Sequence, residues 1–282
     1  MAGTASTVRS FLLVEHPGPW GVDALRDARM PEGIGPELRA RAAATRTKVV
    51  LIRRPAGASR GAEGIRVFAA WAHHTEPWLE TTLLDDLGQV HDLDLEALAA
   101  GRSMGLDPHP DPVLAVCTHG RHDTCCAERG RPVAAALTAT HPAETWEISH
   151  MGGDRFAANM VVLPEGLYYG RMDPGSASDV AWLHEAGRVD IGRLRGRSSY
   201  PMHVQYAEIA LRRHLEVDRL DAVRLVRRQG WTCVFGHDEG AEAVEWAVTV
   251  SRRTQGEAQL TCGLDRLSPV PVHDVVSIRR LP

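Results

Sequence analysis

Short apolar runs alternate along the chain with longer segments whose apolar residues recur on one helical face. In the first hundred residues this pattern predicts strands at Ser10–Val14, Lys48–Ile52, Ile65–Ala72 and Trp78–Leu84. It also predicts a helix that begins at Pro36 and a short helix over Asp94–Ala100. The proline-rich stretch Asp107–Pro112 then breaks the pattern, so we expect a domain boundary there.

The residues after this boundary repeat the same order in a fuller form. The predicted elements are strand Val113–Val116, helix Cys126–Thr140, strand Thr145–Ser149, a hairpin of Met160–Leu163 with Leu167–Arg171, and helix Ser178–Gly187. Strand, helix, strand and then a hairpin is an order typical of a thioredoxin-like layer, in which helices cover a mixed sheet.

The last third of the chain begins with a basic loop, Gly192–Pro201, which we expect to be exposed. Helices are predicted next, over Met202–Leu215 and Arg219–Gln229, and then strands at Trp231–Phe235, Ala243–Ser251, Ala258–Cys262 and Val272–Ile278. We therefore expect an α/β protein in three parts. Residues 1–108 form a partial thioredoxin-like half, residues 109–190 a second such half, and residues 191–282 a helical and β-rich extension.

Composition narrows the function classes without identifying one. Apolar residues make up 44% of the 282 residues and charged residues 24%, which is typical of a soluble globular protein. The net charge of −4 gives no basic field for nucleic acid. No apolar run is long enough to span a membrane, and the N-terminus lacks the pattern of a signal peptide. We expect a cytoplasmic protein that binds neither nucleic acid nor membrane.

The chain has five cysteines, and an odd number in a cytoplasmic protein argues against a disulfide framework. Cys233 and Cys262 lie in apolar, strand-like surroundings, where a cysteine usually serves as a small buried hydrophobe. The other three are clustered, and clustered cysteines in a cytoplasmic protein are more often metal ligands or redox thiols.

The clustered cysteines belong to the most specific pattern in the chain, Cys-x8-Cys followed by His-x3-Asp. Cys117 ends a predicted strand, Cys126 lies at a predicted helix start, and His150 and Asp154 follow the next strand. Thiolate with imidazole selects zinc or iron–sulfur clusters. A spacing of eight is long for structural zinc, whereas iron–sulfur sites tolerate longer loops. His119 and His122 lie inside the cysteine loop, where we expect them beside the metal rather than bound to it.

The segments CTHGRHDTCCAERGRP, HMGGDRFAAN and LPEGLYYGR resemble the sucrase/ferredoxin-like family of thioredoxin-like [2Fe–2S] proteins. That resemblance implies a [2Fe–2S] cluster held by a Cys-x8-Cys pair and an H-x-G-G-H pair. Carried over to this sequence, Cys117 and Cys126 would bind one iron and His150 the other.

The family's second histidine falls on Asp154, so the fourth ligand is open. Asp154 could bind iron itself, Cys125 or Cys262 could replace it, or water could take the position. An open position would let the cluster bind a small molecule. We favour Asp154 because of its position.

The resemblance implies a non-enzymatic electron carrier that passes single electrons from a reductase to an acceptor. Two alternatives stay open: an iron–sulfur sensor of oxidants or iron, and a cluster-free thiol oxidoreductase that uses Cys125 and Cys126. The sequence lacks the G-x-S-x-G and H-E-x-x-H motifs of common hydrolases. The segment Arg195–Pro201 could bind phosphate or an acidic redox partner, but an exposed loop is the simpler interpretation.

Overall fold

A computed structural model describes residues 1–58, 63–239, 242–261 and 267–282. It is α/β, as predicted, with one large mixed sheet and a separate sheet of four strands. The strands of the large sheet are β1 (Ser10–Glu15), β2 (Lys48–Arg53), β3 (Ile65–Trp71), β4 (Trp78–Leu84), β5 (Asp107–Pro108), β6 (Val113–Cys117), β7 (Thr145–Ile148), β8 (Met160–Leu163), β9 (Leu167–Tyr169) and β10 (Leu194–Arg197).

Six α-helices lie among the residues that the structure describes. They are α1 (Ala24–Asp27), α2 (Ile34–Thr45), α3 (Leu95–Ala99), α4 (Thr124–Thr140), α5 (Pro174–Glu185) and α6 (Met202–Leu215). Two 3₁₀ helices, Leu87–Asp92 and Asp154–Phe156, complete the helical segments. None of these helices is long and apolar enough to cross a membrane.

The large sheet contains the same arrangement twice. Its order is β10-β9-β8-β6-β7-β2-β1-β3-β4-β5. In the first half β1 pairs parallel with β2 and antiparallel with β3, and β3 pairs with β4. In the second half β6, β7, β8 and β9 repeat these pairings in the same roles. The halves join where β2 and β7 pair antiparallel, Ile52 opposite Ile148. The predicted domain limits stay a prediction.

Period-two burial divides the core between the two faces of this sheet. On β6, Val113, Ala115 and Cys117 belong to one buried cluster, whereas Leu114 and Val116 belong to another. The second cluster includes side chains from α4 and α5, and a third packs α2 and α3 against β1. Because both faces of the sheet are covered at β6, every residue of this strand is apolar.

The four-stranded sheet contains a strand where a helix was predicted. Its strands are β11 (Arg224–Gln229), β12 (Thr232–Glu239), β13 (Glu242–Gln259) and β14 (Leu267–Arg280). The predicted helix Arg219–Gln229 is wrong, because β11 forms a hairpin with β12. Gln229 pairs with Thr232, and Gly230, at φ 57°, occupies the tight turn between them.

Two further expectations for this region need correction. The basic loop Gly192–Pro201 contains β10, and its arginines Arg195 and Arg197 are buried rather than exposed. The predicted strand Ala243–Ser251 is part of the single long strand β13, which also takes in the start of the predicted strand Ala258–Cys262. Cys262 itself lies outside the described residues. Cys233 is fully buried beneath α6, as expected for a small hydrophobe.

Candidate metal centre

Cys117 and Cys126 meet where β6 ends and α4 begins. Both are 1% exposed, and each thiol is the other's hydrogen-bond partner. The helix begins one residue after Asp123, whose carboxylate accepts a hydrogen bond from the backbone N–H of Cys125 at 3.3 Å. Gly130 permits the close packing of α4 on β6, because a Cβ there would lie 2.1 Å from the carbonyl oxygen of Cys117.

His150 and Asp154 reach the same point from the loop that follows β7. Gly152 and Gly153 both have positive φ, at 92° and 86°, a conformation that favours glycine. The turn they form buries Asp154 to 3% exposure. One carboxylate oxygen, Oδ1, then lies 3.6 Å from the Cys126 sulfur and 3.2 Å from Nδ1 of His150. All four residues singled out from the sequence are therefore brought together.

The contact between His150 and Asp154 is close in distance but is not a hydrogen bond. Nδ1 of His150 is buried and has no hydrogen-bond partner in the described part of the chain, although the Asp154 oxygen is 3.2 Å away. A buried polar atom without a partner costs about 1–3 kcal/mol, and an ion bound at this position would recover that free energy. Two thiols, an imidazole and a carboxylate form a donor set that suits iron as well as zinc.

The thiol pair is electrostatically suited to binding a cation. The hydrogen bond from Cys126 lowers the pKa of Cys117 to about 7, against the opposing effect of burial. The hydrogen bond with Cys117 and its own burial raise the pKa of Cys126. The pair therefore shares one proton near neutral pH, and a metal ion would displace that proton.

His119 is excluded as a ligand because both ring nitrogens are already used. Its Nδ1 accepts a hydrogen bond from the backbone N–H of His150 at 3.1 Å, so its Nε2 carries the proton and donates to the carbonyl of Gly21 at 2.8 Å. Burial lowers its pKa, which keeps the ring neutral. His119 thus anchors the His150 loop to the segment before α1, a supporting position like the one expected from the sequence.

His122 is closer to the ligand set than the sequence indicated. Its ring stacks on that of His150 with centroids 3.7 Å apart, and it donates from Nδ1 to the carbonyl of Val22 at 3.0 Å. Nε2 therefore keeps its lone pair. His122, His150 and Asp154 each offer a ligand atom within 4.8 Å of the others. The signal in the sequence was the second histidine of THGRHDTCC, five residues after Cys117.

Cys125, an alternative ligand, has its thiol turned to other acceptors. It lies 3.1 Å from Oδ1 of Asp123 and 3.5 Å from the backbone carbonyl of Asp154. Cys262, the other alternative, lies outside the described residues. Trp146, on the strand that leads to His150, belongs to the same buried cluster as Cys117 and Cys126.

Arg195, which the sequence placed in an exposed loop, holds the His150–Asp154 loop in position. Its guanidinium is buried and donates to the carbonyl of Gly152 at 3.0 Å, to Oδ1 of Asn159 at 2.8 Å and to the carbonyl of Thr4 at 2.6 Å. Burial lowers the pKa of Arg195 to about 10, so it stays charged at neutral pH. Because Thr4 is 191 residues away, no local pattern reveals this role.

Arg155 is half-buried and lies over the ring of Phe156, 4.6 Å from its centroid, and burial lowers its pKa. The Arg155 side chain is therefore only partly exposed to solvent. The positive charges of Arg155 and Arg195 both lie near the loop that carries Asp154.

A family model described as sucrase/ferredoxin-like matches residues 1–186 of the chain. The match includes both repeated halves of the large sheet and all four candidate ligands. No curated protein and no solved structure is significantly similar to the chain.

Proposed function

Because the chain belongs to the sucrase/ferredoxin-like family, we propose that it is a one-electron carrier with a [2Fe–2S] cluster. Cys117 and Cys126 bind one iron, and His150 and Asp154 bind the other. The observation that carries this proposal is the convergence of the four side chains. The Asp154 carboxylate lies 3.6 Å from the Cys126 sulfur and 3.2 Å from Nδ1 of His150, for which none of the described residues is a hydrogen-bond partner.

The two ligand pairs differ in their exposure to solvent. Cys117 and Cys126 are buried in the core, whereas the His150 side chain is 27% exposed and His122 beside it is exposed. The histidine side is therefore where a redox partner approaches. When bound, the cluster accepts and releases one electron. The protein fixes the ligands, excludes water from the sulfur side and presents an imidazole at the surface.

Asp154 sets this site apart from one with two histidines. A carboxylate adds a negative charge where imidazole is neutral, which favours the oxidised cluster and lowers the reduction potential. We also propose that each half of the large sheet is thioredoxin-like, which the repeated pairing order supports. The partners in this proposal are a reductase and an acceptor protein.

A cluster-free thiol oxidoreductase is the second candidate. The observation that favours it is the hydrogen-bonded pair Cys117 and Cys126, with the pKa of Cys117 near 7, since a thiolate at neutral pH is the reactive form. This candidate uses Cys117 and Cys126, rather than the Cys125–Cys126 pair considered from the sequence. It predicts a colourless protein whose Cys117 and Cys126 form a disulfide on oxidation.

The test is the absorption and EPR spectrum of protein purified without oxygen, before and after reduction with dithionite. We expect a brown protein that bleaches on reduction and gives a one-electron EPR signal. Cys117→Ser and Cys126→Ser should lose the colour, and Cys233→Ser, a buried cysteine in a separate core cluster, should keep it. A protein that stays colourless after reconstitution with iron and sulfide would rule out the electron carrier.

A further inference from the structure

A cavity of about 180 Å³ lies beside the C-terminal end of the basic segment Gly192–Pro201. Three parts of the chain line it: Arg9 and His74 from the first half of the large sheet, Ser199 from the segment before α6, and Arg228 from β11. None of these residues takes part in the candidate metal centre. The cavity therefore calls for an explanation of its own.

Ser199 supplies a buried hydroxyl group to the lining of the cavity. The residue is 3% exposed, and its Oγ has no hydrogen-bond partner among the residues that the structure describes. A hydroxyl both donates and accepts, so burying it unpaired costs about 1–3 kcal/mol. A ligand with an oxygen atom at this position would recover that free energy.

The start of α6 faces the same cavity through Pro201 and Val204. Pro201 occupies the position before the first helical residue, where it cannot cap the helix with a side-chain hydrogen bond. The first turn of this 14-residue helix contains no acidic residue. The partial positive charge of a helix N-terminus thus stays uncompensated, and backbone N–H groups at such an end are well suited to an anion.

The charged side chains around the cavity are mainly cationic. Among the described residues, neither Arg9 nor Arg228 forms a salt bridge, and both are exposed. The buried carboxylate of Glu208 lies nearby, but its Oε1 accepts a hydrogen bond from Nε of Arg212 at 3.1 Å. Burial, His73 and Arg197 lower the pKa of His74, so its ring is a neutral hydrogen-bonding group at neutral pH.

We propose that this cavity binds a small oxyanion of the phosphate class through Arg9, Arg228, the Ser199 hydroxyl and the start of α6. The phosphate is either free inorganic phosphate or the terminal group of a small phosphate monoester. Because the cavity joins the large sheet to the four-stranded sheet, bound phosphate would also fix these two sheets relative to each other.

The experiment is calorimetric titration of the full chain, as purified, at constant ionic strength. The probes are inorganic phosphate, glycerol phosphate and chloride. The variants are Ser199→Ala and Arg228→Gln. The control is Arg227→Gln, the neighbouring strand residue, whose side chain pairs with Glu245 instead of lining the cavity. Circular dichroism establishes that each variant is folded.

We expect phosphate to bind more tightly than chloride, and each of the two cavity variants to weaken its binding about tenfold or more, since a charge-assisted hydrogen bond is lost or a hydroxyl removed. Arg227→Gln should bind like the unaltered chain. Tighter binding of glycerol phosphate would identify a phosphate monoester as the natural ligand, and tighter binding of inorganic phosphate would identify the free anion. Equal affinity for phosphate and chloride, or equal phosphate affinity in all four proteins, would overturn the proposal.

Discussion

Replacing Gly153 by alanine should destabilise the ligand loop far more than replacing Gly152, although the two residues are neighbours with similar backbone angles. Their φ angles are 86° and 92°, so alanine at either position is strained by about 1–2 kcal/mol. The difference between them comes from what the added Cβ would meet.

At Gly153 the new Cβ would lie 2.1 Å from Nη2 and 2.5 Å from Cζ of Arg195. Arg195 would have to move, which would break its hydrogen bonds to Gly152 and Asn159. Each buried acceptor that loses its donor costs about 1–3 kcal/mol. At Gly152 the new Cβ would meet Oγ of Ser6 at 3.1 Å and no other described atom within 4 Å, and a serine hydroxyl can rotate away.

We therefore expect Gly153→Ala to lose about 3–5 kcal/mol of stability and Gly152→Ala about 1–2 kcal/mol. Thermal unfolding followed by circular dichroism should separate the two variants by about 4–8 °C. Adding Arg195→Ala to each variant completes a double-mutant cycle, and the extra cost of Gly153→Ala should then disappear. Equal melting temperatures for the two glycine variants would refute this account of how Arg195 holds the loop.

Three further predictions concern the ligands and the response to acid. Cys125→Ser should keep the visible absorption spectrum that Cys126→Ser loses, because the Cys125 thiol is hydrogen-bonded to Asp123 and to the Asp154 backbone. Loss of iron from Cys125→Ser would instead identify Cys125 as a ligand. Asp154→His should raise the reduction potential in a spectroelectrochemical titration, since a neutral ring replaces a carboxylate, and an unchanged potential would argue against Asp154 as a ligand. Burial holds the pKa of His184 below its ordinary value, so the chain takes up a proton when it unfolds in mild acid. The free energy of unfolding therefore falls as pH drops below about 6.5, by at most about 1.4 kcal/mol per pH unit. In His184→Gln the urea midpoint should depend less steeply on pH between 7 and 5, and an unchanged pH dependence would contradict this.

The sequence indicated the four candidate ligands because their signals are local. Cys117 ends an apolar run, Cys126 lies in a capped first turn, and the Gly152–Gly153 pair marks a tight bend before Asp154. The strands of both halves were also readable, since each is a short apolar run between turn residues. Once these strands and helices had been predicted, their order along the chain showed that the second half resembles the first.

The parts that were missed depend on distant contacts. Arg195 and Arg197 belong to a segment rich in arginine, serine and glycine, so its burial depends on partners such as Thr4 and Gln205 that only the folded chain supplies. The helix predicted over Arg219–Gln229 failed because leucine and arginine favour helices, whereas pairing with β12 decides the conformation. His122 joined the site through its stacking on His150, which sequence spacing does not encode.

In the proposed site, one imidazole and one carboxylate bind the second iron. The most direct measurement is electron–nuclear double resonance on the dithionite-reduced protein, grown with ¹⁵N-labelled histidine. We predict strong coupling to a single histidine nitrogen, and its loss in His150→Ala together with its persistence in His122→Ala. Coupling to two histidine nitrogens, one of them lost in His122→Ala, would place His122 in the position assigned to Asp154. A reduced cluster with no histidine coupling would contradict the proposed ligand set.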